Sequence, residues 1–381
     1  MEPAGNEDLV AAWLIAPDDG AHRAELLGLS LGLRLALTAA QVQAPCVVVG
    51  ADDDLELLRD ARLGIPVRHG APPSGVVLVL RADAVIAPRS LAELGVGEVL
   101  CDDDGSWLAA RLCIEGGADV SVLESLIATA ERHPAERDRY HFAIRVGSAE
   151  ARSQARRALM GALIKPSDGP MSRHFNRHIS RAVTRLVLPL GATPNQLTVV
   201  VAVTGLLAAY YAAMPGYWAQ LGGALLYQLH SVLDGCDGEI ARLTHRFGKY
   251  GALIDSVVDD ACNLLFFVGL SLGVAAMLGA SWPLWAAGVT AGAYVPTTVL
   301  QYSAVLRSTG SGDKTSFWSA DSGRLTLFDL LRALLRRDVF VVLVLLAVAV
   351  GQSPLMAAIF PLAALGTLGA SVGRFLKSRA A

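Results

Sequence analysis

Closely spaced cysteine pairs are missing from this chain. Only five of its 381 residues are cysteine, and none stands in a Cys-x-x-Cys pair or beside matching histidines. This scatter argues against a disulfide framework and a zinc site, and it suits a reducing cytoplasm. Residues 1–9 are acidic rather than basic, so we expect no secretory signal and a first domain that stays in the cytoplasm.

The two halves of the chain differ in charge. Residues 1–150 carry 24 Asp and Glu against 12 Lys and Arg, a balance of −12, whereas residues 151–381 carry 11 against 20, a balance of +9. The hydrophobic content of 53% is high for a soluble protein, and the apolar residues are unevenly spread. The composition therefore predicts an acidic, water-soluble front half joined to a basic, membrane-embedded back half.

Short apolar runs alternate with helical stretches between about residues 10 and 145. The candidate helices are Ala21–Val42 and Asp53–Arg62, with a helical turn at Ser90–Leu94. Strands that alternate with helices indicate a soluble α/β domain with a mostly parallel sheet. The candidate strands are Ala11–Ala16, Cys46–Gly50, Val76–Leu80 and Trp107–Cys113.

Six candidate membrane spans follow residue 195. The joints near residues 215, 280 and 352 carry no charge, whereas the other joints and the C-terminal tail are basic. Positive residues thus fall on one side throughout, so we expect six transmembrane helices with both termini in the cytoplasm. The predicted spans are 197–215, 217–236, 252–278, 282–306, 338–352 and 354–375, the fifth beginning near Leu330.

A basic amphipathic segment precedes these spans. Arg173, Arg177 and Arg181 recur every four residues, opposite an apolar stripe that includes Phe175 and Ile179. The pattern predicts a helix lying at the membrane surface, with its arginines near lipid phosphates or at the mouth of an active site. A basic juxtamembrane stop without chemistry is the alternative.

Four carboxylates stand where a membrane protein rarely places charge. Asp234 and Asp237 are three residues apart and Asp255 and Asp259 four apart, so each pair shares a face if the segments are helical. An aspartate at the centre of a membrane helix costs about 2.5–3.5 kcal/mol on insertion scales. Two such faces opposed to each other predict a cage of oxygens suited to hard divalent cations.

Small residues and one arginine complete this pattern. Gly238, Ala241 and Gly251 leave room for a ligand to approach the backbone, and Arg242 supplies a planar cation suited to phosphate. Together with the carboxylates, they predict a site for a metal-bound diphosphate. Two metal ions would polarise the phosphoryl group and stabilise the leaving phosphate.

The pattern Asp-x2-Asp-Gly-x2-Ala-Arg-x8-Gly-x3-Asp-x3-Asp resembles the signature of the CDP-alcohol phosphotransferases, and every position is met. Those membrane enzymes move a substituted phosphate from a CDP-alcohol to an acceptor hydroxyl and release CMP. The resemblance implies two divalent cations, Mg²⁺ or Mn²⁺, held by the four aspartates, with Asp259 also taking the proton from the acceptor. It implies CDP contacts at Gly238, Ala241, Arg242, Gly251, Asn195 and Thr198. For the segment around Asn195, a plain helix start is the alternative.

The flanks of the motif resemble the membrane half of fused inositol-phosphate cytidylyltransferase and di-myo-inositol-phosphate-phosphate synthase enzymes. The similar stretches begin at Lys165, Ser172, Thr193 and Leu233. This resemblance implies a polyol or inositol phosphate as the acceptor. Arginines could clamp its phosphate bidentately, or they could be ordinary positive-inside flanks. The candidates are Arg173, Arg177, Arg336 and Arg337.

The fused enzymes carry a nucleotidyltransferase-like domain, and the front half of this chain fits that fold. Its segment 79–83, which ends at Asp83, resembles the strand end where that fold holds a metal-binding aspartate. The loop after the first strand has one glycine, Gly20, and two carboxylates that would repel a triphosphate. The run Asp102–Asp104 is expected to be a solvated turn. We therefore predict a nucleotidyltransferase-like domain without activity.

These observations give three regions: a cytoplasmic α/β domain at 1–147, connecting and juxtamembrane helices at 148–195, and a six-helix phosphotransferase domain at 196–381. We expect a multi-pass protein of the inner cell membrane with its active site on the cytoplasmic side, without nucleic acid, and a homodimer by family resemblance. The alternatives are a phospholipid synthase that uses CDP-diacylglycerol and, from another class, a cation transporter. The transporter would require an inverted repeat, which the sequence does not show.

Overall fold

The computed structural model describes residues 8–50, 56–116, 118–135, 138–166, 168–247, 251–308 and 336–380. The chain divides into two compact units, each of which makes most of its contacts within itself. The first comprises Met1–Leu163 together with Arg242–Arg246, and the second comprises Ile164–Ala241 and Phe247–Ala381. The three regions expected from the sequence stay a prediction.

A seven-stranded mixed sheet forms the centre of the first unit, in the order β10-β8-β9-β6-β1-β4-β5. Strand β1 pairs in parallel with β4 and β6, whereas β9 runs antiparallel to β6 and β8. The predicted α/β architecture is confirmed, and all four predicted strands are present. The strands are β1 (Leu9–Ile15), β2 (Glu25–Leu26), β3 (Leu29–Ser30), β4 (Val47–Val49), β5 (Val67–His69), β6 (Gly75–Arg81), β7 (Ala84–Ile86), β8 (Glu98–Cys101), β9 (Trp107–Ile114), β10 (Glu131–Pro134) and β11 (Ala143–Arg145).

The first predicted helix is ten residues too long at its start. Helix α1 covers Leu31–Gln41, and Ser30 caps it by accepting a hydrogen bond from the Leu33 amide at 3.4 Å. The residues before it form a short 3₁₀ turn and the β2–β3 hairpin. Leu27 and Gly28 both have positive φ, 52° and 76°, which is the geometry of a tight hairpin turn.

Three further helices of the first unit are α2 (Pro88–Ala92), α3 (Val120–Thr129) and α4 (Ala149–Ala162). Helix α2 covers most of the turn predicted at Ser90–Leu94, and α4 is the predicted connecting helix. The predicted helix Asp53–Arg62 lies partly outside the described residues. Apolar side chains on both faces of the sheet are buried, which gives the unit a core of its own.

The second unit is helical. A π-helical turn, Ser172–Asn176, leads into α5, and six longer helices follow among the residues that the structure describes. Each of the six predicted spans falls on one of these longer helices. The predicted start near Leu330 lies outside the described residues. The helices are α5 (Arg177–Val187), α6 (Pro194–Ala213), α7 (Tyr217–Thr244), α8 (Gly251–Leu278), α9 (Trp282–Ser308), α10 (Arg337–Ala349) and α11 (Ser353–Ala380).

Three segments of the described chain are long and apolar enough to cross a membrane: Pro194–Ala213, Leu253–Leu278 and Ser353–Leu376. They belong to α6, α8 and α11. The helical architecture of the C-terminal region is therefore established, with three candidate spans.

Small residues bring α6 close to α7 and α8. A Cβ atom on Gly269 would lie 2.6 Å from the carbonyl oxygen of Ala209, and one on Gly223 would lie 2.6 Å from the amide nitrogen of Ala212. Only glycine permits such backbone contact. This close packing fixes α7 and α8, which carry the four motif aspartates, against α6.

Candidate functional site

A cavity of about 900 Å³ opens within the second unit. It lies in the volume range of small-molecule sites. Motif carboxylates Asp234 and Asp259 line it, together with the basic side chains of Lys165, Arg173 and Arg336. The cavity therefore brings acidic groups and cations to one place, as a metal-assisted reaction on phosphate requires.

The four aspartates meet in pairs across α7 and α8. The Arg337 guanidinium bridges Asp234 and Asp259, donating to Asp234 Oδ2 at 2.7 Å and to Asp259 Oδ2. Asp237 and Asp255 lie within hydrogen-bonding distance of each other. The first acid of one helix thus meets the last acid of the next, and all four lie within electrostatic reach of one another.

Several groups fix the orientation of the Asp259 carboxylate. His230 Nε2 lies 3.2 Å from Oδ1, and the Asn263 amide donates to Oδ2 at 3.3 Å. The other nitrogen of His230, Nδ1, lies 3.0 Å from the Val201 carbonyl and donates to it, because a carbonyl can only accept. Asn263 is itself held by the Tyr227 hydroxyl, which donates to its side-chain oxygen at 2.8 Å. Asp259 is only 7% exposed, and Arg337 is a third donor to its carboxylate.

Two predicted CDP contacts lie in the first turns of α6. Thr198 donates to Asp237 Oδ2 at 3.0 Å, so its hydroxyl orients a motif carboxylate. Asn195 is exposed. The helix start itself is a capping box, in which Thr193 and Gln196 bond to each other's backbone amides. The segment is therefore an ordinary capped helix start, and its Asn195 side chain is exposed.

Small residues of the motif behave differently from its arginine. Among the described residues, a Cβ atom on Gly251 would meet nothing within 4 Å. Gly238 and Ala241 are both half-buried on α7. Arg242, by contrast, belongs to the first unit and donates to the Leu163 carbonyl at 3.5 Å. Arg242 does not line the cavity among the described residues.

Arg177 is committed to structural partners. Its guanidinium holds Asp168 through two bonds of 2.9 and 3.0 Å and donates to Glu239 Oε1 at 3.1 Å. Glu239 is fully buried and also accepts from Ser180 at 2.6 Å and Thr184 at 2.7 Å. This network ties α5 to α7 beside the motif, which leaves Arg177 little freedom to clamp a substrate phosphate.

Burial and charge act in opposite directions on this ion pair. Burial raises the pKa of Asp168, but the hydrogen bonds and charge of Arg177 outweigh it, so the pKa lies below its usual value. Burial lowers the pKa of Arg177, and Asp168 and Glu239 more than offset that effect. Both groups are therefore charged at neutral pH.

All four predicted acceptor arginines, Arg177 included, line the cavity. Arg173 donates to the Pro166 carbonyl at 2.8 Å, and Arg336 lies 3.6 Å from Asp338. The Asp338 carboxylate in turn accepts from the Ser172 amide at 3.1 Å. These contacts anchor the start of α10 beside the π-helical turn. Arg173, Arg336 and Arg337 all line the same cavity.

The donor set suits hard divalent cations. Among the described residues, no group of three Asp, Glu, His or Cys side chains is arranged as a metal centre. Four carboxylates converge nonetheless, and Arg337 bridges two of them, Asp234 and Asp259. Carboxylate oxygens are the ligands that Mg²⁺ and Mn²⁺ prefer, so the residues present fit such ions.

In the first unit, the candidate metal-binding aspartate is engaged by two arginines. Asp83 is 1% exposed and accepts from Arg81 Nε at 2.9 Å and from Arg145 Nε at 3.1 Å. Asp102 accepts from the amides of Asp104 and Ser106, which forms the expected turn. Neither feature resembles an open metal site.

Several residues of the site escaped the sequence analysis. Their signal is helical spacing: His230 precedes Asp234 by four residues, and Asn263 follows Asp259 by four. Glu239 stands inside the motif at one of its unspecified positions. Asp260 follows Asp259 directly and is a fifth carboxylate in the same segment. Each is a polar residue in an apolar helix, which by itself marks a functional candidate.

Comparison with known proteins gives a family match for the second unit. Residues 192–369 match the family model described as CDP-alcohol phosphatidyltransferase. The chain is 36% identical over 120 residues to the bifunctional IPC transferase and DIPP synthase of Archaeoglobus fulgidus, which covers 31% of this chain and 24% of that relative. It is 38% identical over 141 residues to the protein of the same description from Thermococcus kodakarensis, covering 37% of this chain and 30% of that relative.

A shorter relative is also similar. The chain is 33% identical over 84 residues to the archaetidylinositol phosphate synthase of Pyrococcus horikoshii, covering 22% of this chain and 43% of that protein. The chain therefore matches less than half the length of each of these three curated relatives.

Proposed function

We propose that the chain transfers a substituted phosphate from a CDP-alcohol to an acceptor hydroxyl and releases CMP, since residues 192–369 match the family model described as CDP-alcohol phosphatidyltransferase. The observation that carries the proposal is that two motif carboxylates, Asp234 and Asp259, line one cavity together with basic side chains. The family match and the names of the relatives, all of them transferases or synthases, support the same reaction class.

Asp259 takes the proton from the acceptor hydroxyl. It lines the cavity, and His230 and Asn263 hold its two oxygens. A base that is fixed in this way loses little orientational freedom when the acceptor arrives. General-base catalysis of this kind contributes about 10²–10⁴-fold to a rate.

Asp234, Asp237, Asp255 and Asp259 would hold two divalent cations, Mg²⁺ or Mn²⁺. Bound there, the ions would polarise the phosphoryl group and neutralise charge on the leaving phosphate. Thr198 keeps Asp237 oriented through its hydroxyl. Gly251, Gly238, Ala241 and Asn195 are the further CDP contacts that the family pattern implies.

The acceptor is a polyol phosphate, such as an inositol phosphate. Arg173 and Arg336 line the cavity and would bind its phosphate, with Arg337 between them and the carboxylates. The burial of Arg177 among Asp168 and Glu239 argues for a supporting role for that arginine. The descriptions of the Archaeoglobus and Thermococcus relatives favour this acceptor class.

A lipid donor is the second candidate. The Pyrococcus relative is described as an archaetidylinositol phosphate synthase, and that name favours a CDP-linked lipid as the donor in one similar protein. For this chain, such a donor would make the enzyme a phospholipid synthase that uses CDP-diacylglycerol.

The protein crosses the inner cell membrane six times, with the α/β domain and the site on the cytoplasmic side. Helices at all six predicted spans and the basic residues at alternate joints support this topology. The outward-facing Phe175, Ile179 and Leu186 of the α5 region support contact with lipid at the surface. A homodimer is the assembly that the family resemblance suggests.

The α/β domain has no cytidylyltransferase activity of its own. The engagement of Asp83 by Arg81 and Arg145 supports this, because a carboxylate paired with two cations is a poor metal ligand. The carboxylates of the loop after β1 would also repel a triphosphate.

One assay tests the proposal. The purified chain is incubated with CDP-inositol or CDP-diacylglycerol, each with and without inositol 1-phosphate, and CMP release is measured before and after EDTA. We expect release that requires both CDP-inositol and the acceptor and that EDTA abolishes. CMP release from CDP-diacylglycerol but not from CDP-inositol would favour the phospholipid synthase. No CMP release from either donor would refute the transferase.

A further inference from the structure

A fully buried glutamate lies on α7 inside the motif, at a position that the family pattern leaves unspecified. Three donors of α5 surround Glu239. Its Oε1 accepts from Arg177 at 3.1 Å and from Ser180 at 2.6 Å, and its Oε2 accepts from Thr184 at 2.7 Å. Because well-packed apolar residues can often replace a buried ion pair without loss of stability, such a pair points to a role in positioning.

Arg177 connects this glutamate to the segment before the π-helical turn. Its Nε and Nη2 donate to the two oxygens of Asp168 at 2.9 and 3.0 Å, while Nη1 donates to Glu239. Gly235 of α7 makes room for this arginine, since a Cβ atom there would lie 2.7 Å from Nη1. A guanidinium that is held at three nitrogens has one orientation. Helix α7 therefore fixes the position of Asp168.

Asp168 orders the backbone that anchors a predicted phosphate-binding arginine. Its Oδ2 also accepts from the Lys165 amide at 2.8 Å, and its own amide donates to the Lys165 carbonyl at 3.1 Å. The carbonyls of Pro166 and Asp168 accept from Arg173 Nη2 at 2.8 and 3.4 Å. The Arg173 amide donates to the Gly169 carbonyl at 2.8 Å. The place of the Arg173 guanidinium thus depends on Asp168.

The chain of contacts that starts at Glu239 ends at the cavity wall. Among the described residues, Asp168, Arg173 and Arg177 line the cavity, and Glu239 does not. Glu239 is also fully buried, so it acts on a ligand only through Arg177. A planar guanidinium binds phosphate well only when its fork faces the phosphate oxygens, so its placement sets the affinity.

Resting on the transferase function proposed above, we propose that Glu239 is a positioning residue for the acceptor phosphate. Through Arg177 and Asp168 it holds the backbone that anchors Arg173, and Arg173 binds the phosphate. Glu239 therefore sets the affinity for the acceptor, whereas the chemistry belongs to the motif aspartates. This separation predicts a change in acceptor binding without a matching change in turnover.

The test measures binding and turnover of the full chain in detergent. Glu239→Gln keeps the shape of the side chain and removes the charge that holds Arg177. We expect its dissociation constant for inositol 1-phosphate, measured by calorimetry, to rise about tenfold or more. The KM for the acceptor should rise in parallel, and kcat should stay within about twofold. Binding of CMP, which belongs to the donor, should also stay within about twofold.

A double-mutant cycle shows whether the effect passes through Arg173. Arg173→Gln should itself weaken the binding of inositol 1-phosphate about tenfold. Adding Glu239→Gln to it should weaken binding no further, because residues that act as one unit give non-additive losses. Asp168→Asn breaks the same chain of contacts at its other end, so it repeats the cycle if Glu239→Gln does not fold.

Thr184→Val is the matched control. It removes one hydrogen bond to Glu239 and leaves Arg177 bound, so it should lower the melting temperature without changing acceptor binding. A wild type that binds no inositol 1-phosphate, unchanged acceptor binding in Glu239→Gln, or additive losses in the cycle overturns the inference. CMP release by the wild type tests the transferase separately, so the two failures are distinguishable.

Discussion

At the residue scale, the behaviour of Asp259 depends on the side chains that hold it. His230 is fully buried, and its ring stacks parallel to Tyr227 with centroids 6.3 Å apart. It therefore has one orientation, in which Nε2 meets Asp259 and Nδ1 meets the Val201 carbonyl. Asp259 depends on this neighbour for its direction in the cavity.

Replacing His230 should separate positioning from binding. His230→Asn cannot reach Asp259, and we expect kcat to fall about 10–100-fold with KM for the acceptor nearly unchanged. His230→Gln is the matched control, because its amide nitrogen can take the place of Nε2 and should restore much of the rate. Steady-state CMP release measures both constants. Equal losses in the two variants would mean that His230 acts only through packing.

The Asp168–Arg177 pair should make stability depend on acid pH. The pKa of folded Asp168 lies below the unfolded value of about 3.9, so its stabilisation is present above that value and is lost as pH falls through the folded pKa. Removing one partner of a buried pair costs about 3–5 kcal/mol. Asp168→Asn should lower the melting temperature in detergent at pH 7 and flatten its decline below about pH 4.

Arg185→Gln serves as the control for that experiment, because Arg185 lies in α5, as Arg177 does, and is exposed. Its melting temperature should stay close to that of the wild type at every pH. An Asp168→Asn protein as stable as the wild type at neutral pH would show that the ion pair contributes nothing.

At the scale of elements, the contact of α6 with α7 depends on glycine. A Cβ atom on Gly223 would lie 2.6 Å from the Ala212 amide nitrogen and 2.9 Å from the Ala208 carbonyl oxygen. We expect Gly223→Ala to destabilise the protein by about 1–3 kcal/mol through overpacking. Gly222→Ala is the control, since its Cβ atom would meet nothing within 4 Å. The melting temperature in detergent measures the effect. Equal melting temperatures for Gly223→Ala and Gly222→Ala would contradict this packing.

Helical spacing also explains what the sequence could and could not reveal. The faces of Asp234 and Asp259 follow from the motif, because three- and four-residue spacing fixes a helix face. The role of Arg177 does not, since its partners Asp168 and Glu239 are nine and 62 residues away. Arg242 fits the phosphate-binding pattern by position, yet its guanidinium meets a backbone carbonyl. Side-chain partners between helices depend on tertiary packing, which periodicity does not encode.

In the first unit, regular alternation of strands and helices predicted the centre of the sheet. It missed the β2–β3 hairpin, because Leu27 is apolar and its positive φ has no signature in periodicity. It also missed β10, whose residues Glu131–Pro134 are polar and include a proline at the strand end. Edge strands such as this one carry few apolar residues to reveal them.

At the scale of the whole molecule, the six-span topology is open to chemical labelling. Cysteines placed at Ser281 and Gln352, both exposed at uncharged joints, should react with an impermeant maleimide on intact cells. A cysteine at Phe247, exposed at a basic joint, should react only after permeabilisation. Labelling of Phe247→Cys from outside would contradict a cytoplasmic site. Protection of both Ser281→Cys and Gln352→Cys would contradict six spans.

The central claim is that Asp259, among its metal-binding neighbours, performs base catalysis of phosphoryl transfer from a CDP-alcohol. Its most direct test is the rate of CMP release by wild type and Asp259→Asn at saturating Mg²⁺, with folding checked by thermal unfolding in detergent. We predict a loss of at least about 10²-fold in kcat for a folded variant, together with loss of wild-type release in EDTA. CMP release by Asp259→Asn at the wild-type rate would contradict the account.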